Sequence, residues 1–133
     1  MDIYTHTIMV VEDEELLLQA VTKKLALSNL GSVSCTSAEQ ALDYLTTIPK
    51  LPDAIWLDYH LKGMDGLIFM QKLKANEKWS AIPVIVVSNS ASQEKVHSML
   101  ALGAKKYLLK AEYKLDDIIK MVRQFIEENK SEL

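Results

Sequence analysis

The segment Ile8-Met9-Val10-Val11-Glu12-Asp13 joins four consecutive apolar residues to an acidic pair. A short, continuous apolar run that lacks alternation is typical of a strand covered on both faces of a parallel sheet. Residues 54–57, 84–87 and 107–109 form three more runs of this kind. A more polar run at residues 33–35 is a candidate for a fifth strand, placed at an edge of the sheet.

Two stretches with helical spacing follow the first two predicted strands. Leu17, Val21 and Leu25 recur at the interval that places side chains on one face of a helix. Gly31 is expected to stop this first helix. Residues 37–40, Ser-Ala-Glu-Gln, fit a capping box that opens a second helix.

Three further helices complete the pattern. They are predicted over residues 66–75, over residues 93–102 with Gly103 at the position after the helix end, and along an apolar stripe from 115 to 126. Residues 127–133 are expected to fray. Strands that alternate with helices predict an α/β sandwich around a parallel sheet.

Length and composition limit the class of protein. The chain has 133 residues, a formal net charge of −3 and a single cysteine, which excludes an internal disulfide. We expect one domain over residues 1–133, with its core at 8–126 and no room for an output domain. No apolar run reaches the roughly 18 residues of a membrane span. The amino terminus has no signal-peptide pattern, so we expect a cytoplasmic protein, and mild acidity gives no reason to expect nucleic-acid binding.

Polar residues follow four of the predicted strands. Glu12 and Asp13 end the first strand, Asp58 the third, Ser88 the fourth and Lys110 the fifth. In open α/β sheets, ligands bind outside the carboxyl ends of the strands. The sequence therefore predicts three carboxylates, a hydroxyl and an ammonium at one rim.

The predicted cluster has the equipment of a phosphoryl-transfer site. Three neighbouring carboxylates repel one another unless a hard divalent cation such as Mg²⁺ joins them. We expect Asp58 to receive the phosphoryl group, because carboxylates act as nucleophiles toward phosphorus. Glu12 and Asp13 are expected to hold the metal, with the peptide carbonyl of His60 as a further ligand. Ser88 is placed to hydrogen-bond a phosphoryl oxygen, and the lysine adds positive charge.

Each of these residues also has an ordinary structural role. Glu12 and Asp13 are typical of acids that stabilise a helix amino terminus, and Asp58 is typical of a turn or cap. Ser88 is ordinary in a loop, and Lys110 is ordinary as a solvated side chain. Only their joint order on successive strand ends favours the functional interpretation.

In this order the residues resemble the receiver domain of two-component response regulators, with similarity from Ile8 to Ile126. Residues 61–66, Leu-Lys-Gly-Met-Asp-Gly, resemble the loop that follows the phospho-accepting aspartate. Ser88 lies 30 residues after Asp58, and Lys110 lies 22 residues further on, as in the family.

The resemblance implies a flavodoxin-like, three-layer (βα)5 sandwich with strand order 2-1-3-4-5. It implies that Asp58 accepts a phosphoryl group from a histidine kinase or a histidine phosphotransfer protein, with Mg²⁺ or Mn²⁺. Ser88 and Tyr107 would then switch a surface of helix 4, strand 5 and helix 5 that binds a downstream effector protein. Such a domain is a signalling protein that promotes its own phosphorylation and dephosphorylation, with no direct contact to nucleic acid or membrane. It is a monomer or a phosphorylation-dependent dimer.

Three residues depart from the family pattern. Lys62 stands where proline is frequent, which is expected to loosen the loop after Asp58. Ala111 replaces the proline that usually follows the lysine, so a cis peptide is not expected there. Asn89 stands where a small residue is usual and is expected to narrow the approach to the site.

Other classes of protein remain open. A Mg²⁺-dependent aspartyl phosphatase or phosphotransferase of the haloacid-dehalogenase type usually has a second aspartate two residues after its nucleophile, where this chain has His60. A degenerate receiver binds partners without phosphorylation, but the complete set of site residues argues against it. A flavin-binding module fits poorly, because no phosphate-binding loop rich in Ser, Thr and Gly follows the first strand. A fragment of a longer regulator has the same pattern as a stand-alone domain.

Overall fold

A computed structural model describes residues 4–131, with the side chains of residues 4–130. Within these residues, five strands alternate with five helices, as predicted. Residues 1–3 and 132–133, which enter the expectations about a signal peptide and a frayed end, lie outside the described residues. The elements are β1 (His6–Val11), α1 (Glu15–Leu27), β2 (Leu30–Cys35), α2 (Ala38–Thr47), β3 (Ala54–Leu57), α3 (Gly66–Ala75), β4 (Val84–Ser88), α4 (Gln93–Ala101), β5 (Lys106–Leu109) and α5 (Leu115–Ser131).

The five strands form one parallel sheet in the order β2-β1-β3-β4-β5. This flavodoxin-like order is the one that the sequence resemblance implied. The more polar strand β2 lies at an edge, as its composition predicted. The chain moves outward in opposite directions on the two sides of the β1–β3 pair, so the sheet has its topological switch point there. A crevice at the carboxyl ends of β1 and β3 is therefore the expected position of a ligand site.

Successive strand residues belong to two separate cores. In β1, Met9 and Val11 pack with α2, α3 and α4, whereas Ile8 and Val10 pack with α1 and α5. All four side chains are fully buried. Because helices cover both faces of the sheet, its strands are continuously apolar instead of alternating.

The first helix ends differently from the prediction, because Gly31 is not its stop. Asn29, with φ of 63°, takes the left-handed conformation directly after the C-cap residue Ser28, and asparagine adopts this conformation more readily than most residues. The chain then enters β2 at once, since the side chain of Leu30 is buried in the core. Gly31 lies inside the strand opposite Thr7. Strand β2 is consequently three residues longer than predicted.

Two other predicted helix boundaries, the start of α2 and the end of α4, have clear caps. The Ser37 hydroxyl accepts a hydrogen bond from the Gln40 N–H at 3.1 Å, which confirms the opening of α2. The Gln40 side chain accepts from the N–H of Thr36 at 2.7 Å, one residue before the cap. Gly103 follows α4 with φ of 105°, as its position predicted.

Helix α5 continues beyond its apolar stripe. The expectation that residues 127–131 fray is wrong, because the helix runs to Ser131. Gln124 donates to Glu128 at 3.1 Å on the outer face, and the Lys130 ammonium lies 3.3 Å from the His6 ring. These contacts stabilise the last turns. Among the described helices, none combines the length and apolar character that would let it cross a membrane.

Candidate functional site

The predicted site residues lie together at the carboxyl edge of the sheet. The hydrogen-bond ladder continues past the strand ends and fixes their backbone. The N–H of Glu12 donates to Cys35 at 3.0 Å, and that of Asp58 donates to Val11 at 3.0 Å. Just beyond the paired strands β4 and β5, the N–H of Lys110 donates to the carbonyl of Ser88 at 2.8 Å. The parallel register therefore brings together side chains that are far apart in the sequence.

The three predicted acids form one cluster. Glu12, Asp13 and Asp58 each offer a carboxylate oxygen, and these oxygens lie within 4.8 Å of one another. Glu12 is 2% exposed and Asp58 is 5% exposed, whereas Asp13 is half-buried. Burial raises the pKa of Glu12, and its hydrogen bonds with Lys110 and with the N–H of Glu14 only partly offset this. A positive charge nearby would therefore stabilise the ionised carboxylates of this cluster.

Lys110 supplies one such charge. Its ammonium donates to Glu12 Oε1 at 2.7 Å and to Asp58 Oδ2 at 3.1 Å. Burial alone lowers the pKa of this lysine, but its hydrogen bonds and charge interactions with Glu12 and Asp58 raise it above its ordinary value. The ammonium is therefore held charged beside the side chain that was predicted to accept a phosphoryl group.

The acid cluster fits a hard divalent cation. Its side-chain donors are all carboxylate oxygens, which is the ligand type that Mg²⁺ and Mn²⁺ take. One lysine stands against two buried carboxylates and a third half-buried one, so a net negative charge remains for a cation to neutralise. Glu12, Asp13 and Asp58 are the residues that would hold it.

The loop after Asp58 is tied to its surroundings by backbone N–H groups. The N–H of His60 donates to Asp58 Oδ1 at 3.2 Å. Further along, the N–H of Lys62 donates to Asp13 Oδ2 at 3.1 Å. The N–H of Met64 donates to Glu39 Oε1 at 2.8 Å. The loop is thus joined both to the acid cluster and to helix α2.

Ser88 and Tyr107 lie near the cluster, and neither side chain has a recorded hydrogen bond to its carboxylates among the described residues. Ser88 is fully buried at the end of β4, and its described hydrogen bonds do not reach Asp58. The Tyr107 hydroxyl donates to the carbonyl of Ser90 at 2.7 Å, which ties β5 to the loop after β4. Burial raises the pKa of this tyrosine. Its ring also packs near Tyr59, with 6.3 Å between the ring centres.

His60 places its ring at the mouth of the site. The Nε2 atom lies 2.8 Å from the Ser90 hydroxyl and 3.2 Å from the Lys95 ammonium. The Lys95 ammonium also lies 5.2 Å from the centre of the Tyr59 ring. A metal-ligand role for the His60 carbonyl stays a prediction.

Sequence reasoning missed Glu39, Ser90 and Lys95. Glu39 lies within the capping-box pattern of residues 37–40, and Ser90 has no pattern that distinguishes it from other loop residues. Lys95 carries no signal in the sequence, because nothing in its spacing distinguishes it from other helix-surface lysines. All three act through contacts between different elements.

A comparison with protein-family models matches residues 8–123 to the response regulator receiver domain. The chain belongs to this family. Receivers are signalling proteins, so this match favours the receiver interpretation over the aspartyl phosphatase alternative. The match agrees with the strand order and with the carboxylate cluster described above.

Two similar proteins are much longer than the segment that they share with this chain. The phosphate regulon transcriptional regulatory protein PhoB of Pseudomonas aeruginosa is 26% identical over 104 residues, which cover 78% of this chain and 44% of PhoB. The transcriptional regulatory protein BaeR of Escherichia coli O6:H1 is 32% identical over 108 residues, covering 80% of this chain and 42% of BaeR. The chain therefore spans less than half the length of either relative.

Solved structures agree on the fold. A CheY-like receiver domain protein from Methanospirillum hungatei JF-1 superposes with a TM-score of 0.87 at 20% identity, covering 96% of this chain and 98% of that one. At this identity the likeness shows the fold alone.

The departures from the receiver pattern have structural counterparts. No peptide bond within residues 4–131 is cis, so the bond before Ala111 is trans, as expected. Asn89 is exposed, and its effect on access to the site stays a prediction. Lys62 was expected to loosen its loop, yet it contributes a hydrogen bond to Asp13 that proline lacks.

Proposed function

We propose that this receiver is a phosphorylation switch in which Asp58 accepts a phosphoryl group from a phosphohistidine. The donor is a histidine kinase or a histidine phosphotransfer protein, and Mg²⁺ or Mn²⁺ is required. The observation that carries this proposal is the arrangement around Asp58. Its carboxylate lies in the acid cluster within 3.1 Å of the Lys110 ammonium, at the switch point of the sheet.

The transfer exchanges one bond to phosphorus for another. An oxygen of Asp58 attacks the phosphorus, the bond to the donor imidazole nitrogen breaks, and an acyl phosphate forms. When bound, Mg²⁺ neutralises charge on the phosphoryl oxygens. Glu12 and Asp13 would hold the cation beside Asp58. Lys110 contacts two carboxylates, so it can exchange one for a phosphoryl oxygen without leaving the site. The domain thereby promotes its own phosphorylation. Attack by water on the same phosphorus would break its bond to the Asp58 oxygen, release inorganic phosphate and restore the carboxylate.

The phosphorylated site would communicate with the surface of α4, β5 and α5. Ser88 is fully buried at the end of β4, one strand away from Asp58, and its hydroxyl can move to a phosphoryl oxygen. Ser88 shares its loop with Ser90, whose carbonyl accepts the Tyr107 hydroxyl. A shift of this loop would release or tighten Tyr107, so the change at Asp58 would reach the effector-binding surface.

We further propose the partners, the location and the oligomeric state of this receiver. The partners are a histidine kinase or phosphotransfer protein and a downstream effector protein, in the cytoplasm. The receiver itself contacts neither nucleic acid nor membrane, and it is a monomer or a phosphorylation-dependent dimer. We propose residues 1–133 as a single receiver domain.

Intact mass spectrometry tests the chemistry. The protein is incubated with Mg²⁺ and fresh acetyl phosphate, and we expect a single base-labile phosphoryl adduct. Asp58→Asn and chelation of the metal should both abolish it, whereas Asp117→Asn, a change at an exposed position of α5, should leave it intact. An unchanged wild-type mass favours a degenerate receiver. Turnover of many unrelated phosphate esters favours an aspartyl phosphatase.

A further inference from the structure

The loop between Asp58 and α3 contains a main-chain donor that proline would remove. The N–H of Lys62 donates to Asp13 Oδ2 at 3.1 Å. The donor of this hydrogen bond is the backbone nitrogen of Lys62 and not its ammonium, and the side chain of Lys62 is exposed. Proline, which is frequent at this position in the receiver family, has no N–H and cannot make this hydrogen bond.

The same loop is anchored on its other side by Glu39. This side chain of α2 accepts the N–H of Met64 at 2.8 Å. Gly63, between the two donors, has φ of 79°, and a side chain there would begin 3.3 Å from the Glu39 carboxylate. The left-handed conformation favours glycine, and a side chain there would also press against the Glu39 carboxylate. The two hydrogen bonds thus fix the segment from Lys62 to Met64 from opposite sides.

We propose that the main-chain N–H of Lys62 orients Asp13 for the cation, and that Glu39 positions the loop that carries this N–H. The inference rests on the proposed function, because it concerns the same metal site. A carboxylate that accepts a backbone N–H through one oxygen keeps the other oxygen free as a ligand. Such hydrogen bonds from outside the ligand set orient metal ligands, and their loss typically lowers metal affinity about 10–100-fold. The positioning groups are therefore the backbone N–H at position 62, not the Lys62 side chain, and the Glu39 carboxylate.

Two substitutions at one position separate the backbone from the side chain. Lys62→Pro removes the N–H, and Lys62→Ala removes only the exposed side chain. Isothermal titration of the metal-free proteins with Mg²⁺ should give a dissociation constant about 10-fold higher for Lys62→Pro, and a value close to wild type for Lys62→Ala. Glu39→Ala should weaken binding in the same direction, and Glu39→Gln should restore it, because its amide oxygen also accepts.

Thermal unfolding in chelator accompanies each titration, so that a folding defect is distinguished from a metal-site defect. Equal Mg²⁺ affinity of folded Lys62→Pro and Lys62→Ala would overturn the inference and leave the proposed function intact. Absence of Mg²⁺ binding in the wild type would instead contradict the proposed function.

Amide hydrogen exchange provides a test without any change at position 62. In the metal-free protein, Asp13→Ala should accelerate exchange of the Lys62 N–H while exchange at the Met64 N–H stays the same. An unchanged rate at Lys62 would overturn the inference even if Lys62→Pro failed to fold.

Discussion

Replacing Lys110 with methionine tests the electrostatics of the site most directly. Methionine keeps an unbranched side chain of similar length and removes the charge and the hydrogen-bond donors. In the wild type the ammonium lies 2.7 Å from Glu12 and 3.1 Å from Asp58. The three side chains are 15%, 3% and 6% exposed, respectively, so water compensates little for the missing charge.

The expected loss of stability follows from this burial. Removing one partner of a buried ion pair typically costs about 3–5 kcal/mol, because a charge is left without compensation. The Lys110 side chain keeps 15% exposure, so we expect the lower end of this range, about 3 kcal/mol, in the metal-free protein. For a domain of this size, that corresponds to a fall in melting temperature of roughly 10 °C.

The pH dependence has a definite sign. Burial and the charge of Asp58 raise the pKa of Glu12, and removal of Lys110 also takes away a contact that lowers it. The folded protein then binds a proton more readily than the unfolded chain, so its stability rises as pH falls from neutral toward the ordinary pKa of glutamate. The variant should therefore recover part of its lost stability in mildly acidic buffer.

Thermal unfolding measures these effects. The melting temperature is recorded in chelator at two pH values, and again in buffer with Mg²⁺ and no chelator. A ligand at 100 times its dissociation constant stabilises a folded protein by about 2.7 kcal/mol, so Mg²⁺ should recover a large part of the loss. Lys106→Met, at an exposed position of β5, is the matched control. Equal melting temperatures for the two variants in chelator would refute the electrostatic reasoning. A loss that neither acid nor Mg²⁺ reduces would assign the effect to packing.

Three smaller predictions concern the framework of the site. Gly66→Ala would place a methyl group 2.8 Å from the Cα atom of Tyr59, the residue after Asp58. We therefore expect a destabilisation of about 1–3 kcal/mol in urea unfolding and slower phosphorylation. Gly31→Ala, whose new atom would meet side chains only, is the control; an equal effect would contradict the backbone argument. Burial raises the pKa of Cys35 from 9.0 to about 12, so a thiol reagent should label it at neutral pH only after unfolding. Rapid labelling of the folded protein would refute the burial of this thiol. Because the folded protein keeps the thiol proton while the unfolded chain loses it, the free energy of unfolding should fall as pH rises above 9.0. Ser37→Ala removes the cap of α2 and should cost about 1 kcal/mol in the same urea assay, and an unchanged midpoint would show that the cap contributes nothing.

The positions of the site residues could be predicted from the sequence because strand ends are visible in it. A continuous apolar run shows where a buried strand lies, and the first polar residue after it, such as Asp58, must emerge at the carboxyl edge. Parallel pairing then brings these edges together. The end of α1 could not be predicted in this way, because Gly31 and Asn29 both tolerate the left-handed conformation and only burial of Leu30 decides between them.

The contacts around the acid cluster were not predictable for a different reason. The tethers at Lys62 and Met64 use backbone N–H groups, which are the same in almost every residue and leave no trace in composition. Glu39 matches a capping pattern in the sequence, but in the structure its carboxylate serves another element. Such contacts depend on the distance between loops, which spacing along the chain does not determine.

The ion pairs of Lys110 also have a consequence for folding kinetics. They join residues 98 and 52 positions apart in the chain, across four of the five strands. Closing loops of this length loses chain entropy before any contact compensates for it, and proteins dominated by such contacts fold slowly. No partly folded state that lacks β1 or β3 can contain the complete cation site, and none that lacks β5 can contain the ion pairs of Lys110. Mg²⁺ should therefore slow unfolding without accelerating the early steps of folding.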